Sequence, residues 1–212
     1  MKLIIKSCLT WILLLFVFVL QANAATVVAG YTFADNAFVD QLVSSNGSFL
    51  NYNSATASDV ISTSQLRADL TDHSAGTYVL SLSPNAYVDL AIGGTNVANG
   101  QGNDLAFFFA GNATFSVILS GQTRTFSTMN TGYTVTDRFG TYSLAVALVD
   151  MSTFGLTQNS SLGTFRVMLN NNAPALSLVG SFNTRVNPVP LPAPLILMFS
   201  GLAALGLVGR RK

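Results

Sequence analysis

Few side chains in this sequence have the chemistry that acid–base or nucleophilic catalysis needs. The only histidine, His73, lies in the polar segment T-D-H-S at residues 71–74. A Ser-His-Asp triad is formally possible, but no G-x-S-x-G turn accompanies it. Zinc hydrolysis needs several His or Cys ligands, and Cys8 is the only cysteine. We therefore predict no catalytic residue and interpret His73 as a solvated loop residue.

The carboxylates are all aspartates, and they suggest two further kinds of site. Nine aspartates could supply the pair that glycoside hydrolysis needs, but no spacing selects a pair. Asp89 and Asp104 lie near the Gly-rich stretch 99–103, and hard oxygen ligands suit Ca²⁺. No D-x-D-x-D-G loop is present, however, and Asp or Asn beside Gly is typical of Asx-turns. The sequence favours turns over calcium here, and we predict no bound metal and no cofactor. The asparagines near these two aspartates are Asn96, Asn99 and Asn103.

The charge distribution excludes some classes of protein. Only 9% of the 212 residues are charged and the formal net charge is +1, whereas soluble domains carry about 25% charged residues. A nucleic-acid binder needs clustered Lys and Arg, so we expect no nucleic-acid partner. The three lysines lie close to the two ends, while the nine aspartates and five arginines lie between residues 25 and 187. Both ends therefore combine positive charge with a neighbouring apolar run.

The N-terminal segment, residues 1–24, has the three parts of a secretory signal peptide. Two lysines precede the apolar run 8–20, which is short for a membrane span. Ala22 and Ala24 then supply the small-x-small pattern of a signal-peptidase site, so we predict cleavage between Ala24 and Ala25. An uncleaved anchor is the alternative. After cleavage the chain has no cysteine and hence no disulfide.

The C-terminal segment, residues 187–212, has an ordered series of parts. Alternating prolines at positions 188 to 194 make its first part extended and stiff. An apolar stretch of about 18 residues from Leu191 follows, close to the minimum for a transmembrane helix. The chain ends in Arg210, Arg211 and Lys212, and an apolar helix before a basic cluster is typical of a stop-transfer element.

This tail resembles the PEP-CTERM class of bacterial sorting tails, in the variant with V-P-L-P-A in place of the Pro-Glu-Pro core. Leu191 stands where the parent motif has glutamate. The resemblance implies recognition by an exosortase, a membrane-embedded transpeptidase-like enzyme that cuts near the proline motif. A plain membrane anchor is the alternative. The residues that carry the sorting signal are Val189, Pro190, Leu191, Pro192, Ala193, Arg210, Arg211 and Lys212.

The central residues 25–186 have the composition of an all-β domain. Glutamate and lysine are absent, and β-branched and aromatic residues recur in short runs. Phe115, Val117 and Leu119 would share one face of a sheet, with Ser116 and Ser120 on the other. S-G-Q-T at residues 120–123 predicts a hairpin with Gly at the first turn position. One helix is predicted within residues 59–70, with Ser58 as its N-cap. The predicted strands are 26–33, 77–83, 87–92, 105–110, 114–120, 123–127, 133–136, 142–149, 164–169 and 175–182.

Many short strands separated by turns predict an antiparallel β-sandwich or jelly-roll-like body. The whole chain is then a signal peptide (1–24), a β body (25–186) and a sorting tail (187–212) with a single transmembrane helix. We expect an exported, non-enzymatic bacterial protein that pauses in the inner membrane and then reaches the cell surface or extracellular matrix. Its expected partners are the Sec machinery, signal peptidase, the membrane and an exosortase. Exopolysaccharide is a further partner that the resemblance implies.

Two other functions stay open for the body. Surface tyrosines could stack on sugar rings in a carbohydrate-binding module, although most of the six tyrosines fall in strand patterns that predict core packing or a place on a sheet face. A secreted hydrolase is the least favoured function, because no motif selects catalytic residues.

Overall fold

A computed structural model of the chain describes residues 25–51, 60–93, 95–137, 140–169 and 175–186. Within these ranges the chain forms antiparallel sheets with one α-helix and one short 3-10 helix, at Met151–Phe154. The predicted all-β class is therefore confirmed. None of the described helices is long and apolar enough to cross a membrane.

In chain order, the strands and the α-helix have the following bounds. They are β1 (Ala25–Val28), β2 (Tyr31–Ala34), β3 (Gln41–Asn46), β4 (Phe49–Asn51), α1 (Thr63–Leu70), β5 (Val79–Ser81), β6 (Ala86–Ala91), β7 (Thr95–Ala98), β8 (Leu105–Ala110), β9 (Thr114–Leu119), β10 (Gln122–Ser127), β11 (Met129–Asp137), β12 (Gly140–Val149), β13 (Ser161–Leu162), β14 (Thr164–Leu169), β15 (Ala175–Ser181) and β16 (Thr184–Val186).

Two large sheets dominate the described structure. The five-stranded sheet has the order β10-β9-β14-β6-β3, and the six-stranded sheet has the order β11-β12-β8-β15-β5-β4. A hairpin of β1 and β2 and a small sheet, β13-β7-β16, accompany them. Neighbours in space are often distant in sequence, so non-local pairing defines the fold.

The main core lies where the two large sheets face each other. Phe107 and Phe109 of β8 point toward Phe115 of β9, with ring centroids 5.3 and 4.7 Å apart. Phe107 also meets Phe165 of β14 edge-on at 5.8 Å. Alternation along each strand places these rings on inward faces, and their burial drives the two sheets together.

A second core covers the opposite face of the six-stranded sheet. Phe108 points away from Phe107 and is fully buried against the β1–β2 hairpin, with its ring 6.1 Å from that of Phe33. Phe33 also stacks on Phe182 at 4.9 Å. At Gly180 of β15, an added Cβ would lie 2.9 Å from the Phe33 ring, so glycine permits this close approach. Both faces of β8 are therefore buried, and its continuous apolar run L-A-F-F-F-A follows.

Several local predictions agree with the structure and others need correction. Strands 105–110 and 164–169 have the predicted bounds. Residues 26–33 are not one strand, because Ala29 and Gly30 adopt positive φ and turn the chain into a hairpin. In the predicted hairpin after β9, Gly121 occupies the second turn position and Ser120 the first, both with positive φ, as in a type I′ turn. The strands that were not predicted are β3, β4, β7, β13 and β16.

The helix begins later than predicted. Ser62 is the N-cap of α1, and its side chain accepts a hydrogen bond from the backbone N–H of Gln65. Val60, which the predicted range included, lies before the helix and is exposed. The predicted cap, Ser58, lies outside the described residues.

Most of the predicted targeting signals also lie outside the described residues. These are Ala22, Ala24, Val189, Pro190, Leu191, Pro192, Ala193, Arg210, Arg211 and Lys212. Ala25 is the first residue of β1.

Candidate functional site

The face of the five-stranded sheet that points away from the main core is polar, and we call it the outer face. Its side chains are the residues that alternate with buried ones, as in β9, where Ser116 and Ile118 lie between Phe115, Val117 and Leu119. The register aligns them in rows across the strands. One row contains Thr123, Ile118, Arg166, Asp89 and Ser44, and the next contains Thr125, Ser116, Met168, Tyr87 and Asn46.

An ion pair occupies the centre of the outer face. Arg166 of β14 donates two hydrogen bonds to Asp89 of β6, from Nε to Oδ1 at 2.7 Å and from Nη2 to Oδ2 at 2.9 Å. Ser44 of β3 donates its hydroxyl to Asp89 Oδ2 at 2.5 Å. The strands β6 and β14 are paired directly at Asp89 and Arg166, so the sheet register aligns the fork of the guanidinium with the carboxylate.

The guanidinium of Arg166 also lies over an aromatic ring. Its Cζ is 3.6 Å from the centroid of Tyr87, which is close enough for a cation–π contact. The edge of the Arg166 guanidinium thus contacts Asp89, and its flat face contacts Tyr87, two residues earlier on β6. About a third of its side chain stays exposed, against 15% for Asp89. A rigid, charged and partly accessible group results.

These contacts shift both ionisation equilibria toward the charged forms. The guanidinium of Arg166 lowers the pKa of Asp89, with the Ser44 hydroxyl adding to the effect, while partial burial opposes it. The carboxylate in turn raises the pKa of Arg166 above its ordinary high value. The pair is therefore ionised at neutral pH.

Hydroxyl groups extend the polar surface toward β10. Ser116 and Thr125 share a hydrogen bond of 2.9 Å, and Thr114 and Ser127 share one of 3.2 Å. Each hydroxyl can both donate and accept. Such a surface suits a polyhydroxylated ligand, because it combines donors, acceptors and an aromatic ring.

Asp104 has a structural role. It is fully buried before β8, where Oδ1 accepts hydrogen bonds from Gly100 N at 2.7 Å and from Asn183 Nδ2 at 2.9 Å. Its Oδ2 accepts a third from Met151 N at 2.9 Å. The carboxylate thus fastens three loops with neutral donors.

The structure does not assemble the candidate calcium ligands. Asp89 is bound to Arg166 in the five-stranded sheet, while Asp104 is bound to amides beside the six-stranded sheet. Asn99 is buried elsewhere in that loop region, and its Nδ2 donates to the carbonyl of Leu156 at 2.7 Å. No cluster of three or more His, Cys, Asp or Glu side chains suited to a metal occurs among the described residues.

His73 lies in an exposed turn after α1. Its backbone has positive φ, and its ring lies 5.4 Å from that of Phe38. The neighbouring Asp72 accepts a hydrogen bond from Ser74 N at 2.8 Å, which closes an Asx-turn. The hydrogen bonds of this segment therefore stabilise a turn.

Asp69 is a buried carboxylate that sequence patterns did not select. It lies in α1 between the buried residues Leu66 and Leu70 and is 5% exposed. Gln65 donates to its Oδ1 at 2.7 Å, while Oδ2 has no hydrogen-bond partner. Burial raises the pKa of Asp69, and nearby Asp72 adds to the rise, although hydrogen bonds from Gln65 and Asn51 oppose it. The signal was present in the sequence: an aspartate at i+3 from Leu66, on the helix's apolar face.

Of the six tyrosines, Tyr52 lies outside the described residues, and the other five lie in strands or, for Tyr78, directly before one. Tyr78 is buried, and Tyr31 and Tyr142 are partly buried against the second core. Tyr133 is 55% exposed on β11, at the edge of the six-stranded sheet. Tyr87 lies beneath the guanidinium of Arg166 on the outer face.

In comparisons with known proteins, the chain matches no family model, no curated protein and no solved structure.

Proposed function

We propose that this protein is an exported bacterial surface or exopolysaccharide-matrix protein that an exosortase sorts through its C-terminal tail. The observation that carries the proposal is the order of parts in residues 187–212: alternating prolines, an apolar stretch and a terminal basic cluster. The β body then has a structural or adhesive role, and we assign it no catalytic activity.

The described body supports this proposal in the way it is stabilised. Its stability comes from two apolar cores, which suits an exported chain without cysteine in residues 25–212. The two large sheets share one of these cores, so we propose a jelly-roll-like sandwich as the finer topology.

The tail acts by being halted in the membrane and then cut. Arg210, Arg211 and Lys212 stay on the cytoplasmic side, because positive residues resist transfer. The prolines keep the segment outside the bilayer extended, since they remove backbone donors and disfavour helix. A cleaving enzyme binds extended substrates, so the motif at residues 189–193 presents a ready backbone.

Two double variants test the sorting role with matched chemistry. Pro190→Ala with Pro192→Ala changes the V-P-L-P-A core, while Pro188→Ala with Pro194→Ala removes as many prolines outside it. We expect the first variant to remain uncut in the inner membrane of the native host and the second to be processed like the wild type. Equal processing of both variants contradicts recognition of the core.

A second candidate function is carbohydrate binding at the outer face. The observation that favours it is the platform of Tyr87, Arg166 and Asp89, flanked by rows of hydroxyl groups. We expect the exported protein to be retarded by the host's exopolysaccharide in affinity electrophoresis, and Tyr87→Ala to abolish the retardation. Tyr133→Ala, at an exposed tyrosine of the other large sheet, is the matched control and should leave retardation unchanged. If the wild type is not retarded, the candidate function fails while the sorting proposal stands.

A further inference from the structure

The open edge of the five-stranded sheet at β10 differs from the other ends of the two large sheets. β3 and β11 each contain a register shift, between Leu42 and Ser44 and between Asn130 and Tyr133. β4 has only three residues, and its middle residue, Leu50, also forms an isolated bridge with Val60. Bulges and short length are the usual means by which proteins prevent edge strands from pairing with other chains. β10 has neither.

β10 is regular along its whole length. All six of its residues pair in register with β9, from Gln122 opposite Leu119 to Ser127 opposite Thr114. It contains no proline, its single charge is Arg124, and five of its six side chains are exposed. Among the described residues, no second strand pairs with it. In the described part of the chain, one side of its backbone is therefore unpaired.

The register tells which backbone groups are free. A two-residue turn makes Leu119 and Gln122 a hydrogen-bonded pair, so the even-numbered residues of β10 bond to β9. The hydrogen bond from Thr128 N to Ala113 O, 2.9 Å long, continues the same alternation. The N–H and C=O groups of Thr123, Thr125 and Ser127 consequently point away from the sheet.

We propose that β10 pairs antiparallel with β10 of a second copy of this chain, joining the two five-stranded sheets into one. Full use of the free groups requires Thr125 opposite Thr125 of the other copy, with Thr123 opposite Ser127. This register satisfies three outward-facing residues on each side. It also continues the hydroxyl rows of the outer face from one copy into the next, since Thr–Thr and Thr–Ser pairs can hydrogen-bond across strands.

The side chains on the inner face favour this register over one centred on Arg124. With Thr125 opposite its own copy, Arg124 lies opposite Phe126 of the other chain, where a guanidinium–ring contact is favourable. A shift by two residues that centres on Arg124 would place two arginines opposite each other, which is destabilising. The pairing has twofold symmetry and closes on itself, so it yields a dimer and no fibre.

Sedimentation equilibrium on the processed, exported protein tests the pairing. We expect a monomer–dimer equilibrium whose dissociation constant rises by about tenfold or more in Thr125→Lys, because two lysines would meet at the symmetry axis. Thr136→Lys places the same charge at an exposed position on β11 and should leave the equilibrium unchanged. A wild type that stays monomeric, or a dimer that Thr125→Lys does not weaken, overturns the proposal.

A spin label provides a second readout that does not depend on the lysine variant folding. The predicted processed chain has no cysteine, so Thr125→Cys gives a single attachment point. The proposal predicts a short label-to-label distance between copies at position 125 and a longer one for Thr136→Cys. A dimer in which position 125 gives the longer distance contradicts the β10 pairing. Neither result bears on the sorting of the tail.

Discussion

The two large sheets share a core but differ in what their second faces meet. The central strands of the six-stranded sheet are covered on both sides, so that Phe107 and Phe108, neighbours in sequence, are both fully buried on opposite faces. The outer face of the five-stranded sheet carries the Asp89–Arg166 pair, whose side chains stay partly exposed in the described part of the chain. The six-stranded sheet therefore contributes mainly buried apolar side chains, while the five-stranded sheet leaves charged and hydrogen-bonding groups accessible.

The polar groups of the two sheets differ in the same sense. Ser177 and Ser181 on β15 are buried, and each donates its hydroxyl to a backbone carbonyl, for example Ser177 to Ala75 O at 2.9 Å. Such groups satisfy the fold itself. The hydroxyls of Ser44, Ser116 and Thr125 instead lie at a surface and keep part of their hydrogen-bonding capacity. Binding to a ligand or to a second copy is thus expected at the five-stranded sheet.

The largest expected effect comes from the second face of the six-stranded sheet. Phe108→Ala should lower the free energy of unfolding by about 3–5 kcal/mol, because it leaves a cavity beneath the β1–β2 hairpin. Phe107→Ala should cost a similar amount on the other face, whereas Ile118→Ala on the outer face should cost under about 1 kcal/mol. Urea unfolding measures all three. If Phe108→Ala is as mild as Ile118→Ala, the sheet is not covered on both sides.

An effect of intermediate size on stability is expected at Asp104, and a smaller one at Asp89. Asp104→Asn places an amide NH₂ where one carboxylate oxygen accepts hydrogen bonds from buried donors, and should cost about 3 kcal/mol. Asp89→Asn weakens a partly exposed ion pair and should cost under about 1 kcal/mol. Chemical denaturation at neutral pH gives both values. A larger loss for Asp89→Asn would show that the outer face stabilises the fold more than the buried loops do.

The smallest expected effect is a difference in pH dependence between Asp89 and Asp69. The pKa of Asp89 is lowered, so its contribution to stability is present above its unfolded pKa and is lost as pH falls through the folded one. The pKa of Asp69 is raised, so its contribution is present below the unfolded value, ordinarily 3.8, and is lost as pH rises through the folded one. Melting temperatures across the acidic range should therefore lose the low-pH decline in Asp89→Asn. In Asp69→Asn, melting temperatures should lose the decline on the higher-pH side. A decline that persists there would show that ionisation of the buried Asp69 carboxyl does not cause it.

Local patterns explain how much of this fold the sequence could predict. Strands such as Thr164–Leu169 have clear alternation, and β8 is uniformly apolar, so both were found with their bounds. β3 and β7 have the sequences Q-L-V-S-S-N and T-N-V-A, in which polar residues obscure the strand signal. Both become strands through tertiary pairing: β3 pairs with β6, and β7 pairs with β13 and β16.

The candidate site was less accessible to sequence reasoning. Asp89 and Arg166 are 77 positions apart, and only the pairing of β6 with β14 brings them together. The residues near Asp89 suggested Ca²⁺ as a possible partner, whereas in the structure Asp89 is paired with the guanidinium of Arg166. Asp104 was considered as a possible calcium ligand because of its carboxylate oxygens, but in the structure these oxygens accept hydrogen bonds from amide groups. The regular edge at β10 could be recognised only by comparison with the bulged edge strands β3 and β11, and bulges depend on how strands pair, which composition does not reveal.

The intact mass of the protein isolated from the envelope or matrix of its native host tests the proposed sorting most directly. We expect a chain that begins at Ala25 and ends near Val189, without the apolar stretch and the basic cluster. A mature protein that still ends in Arg210, Arg211 and Lys212 at its working location would contradict it.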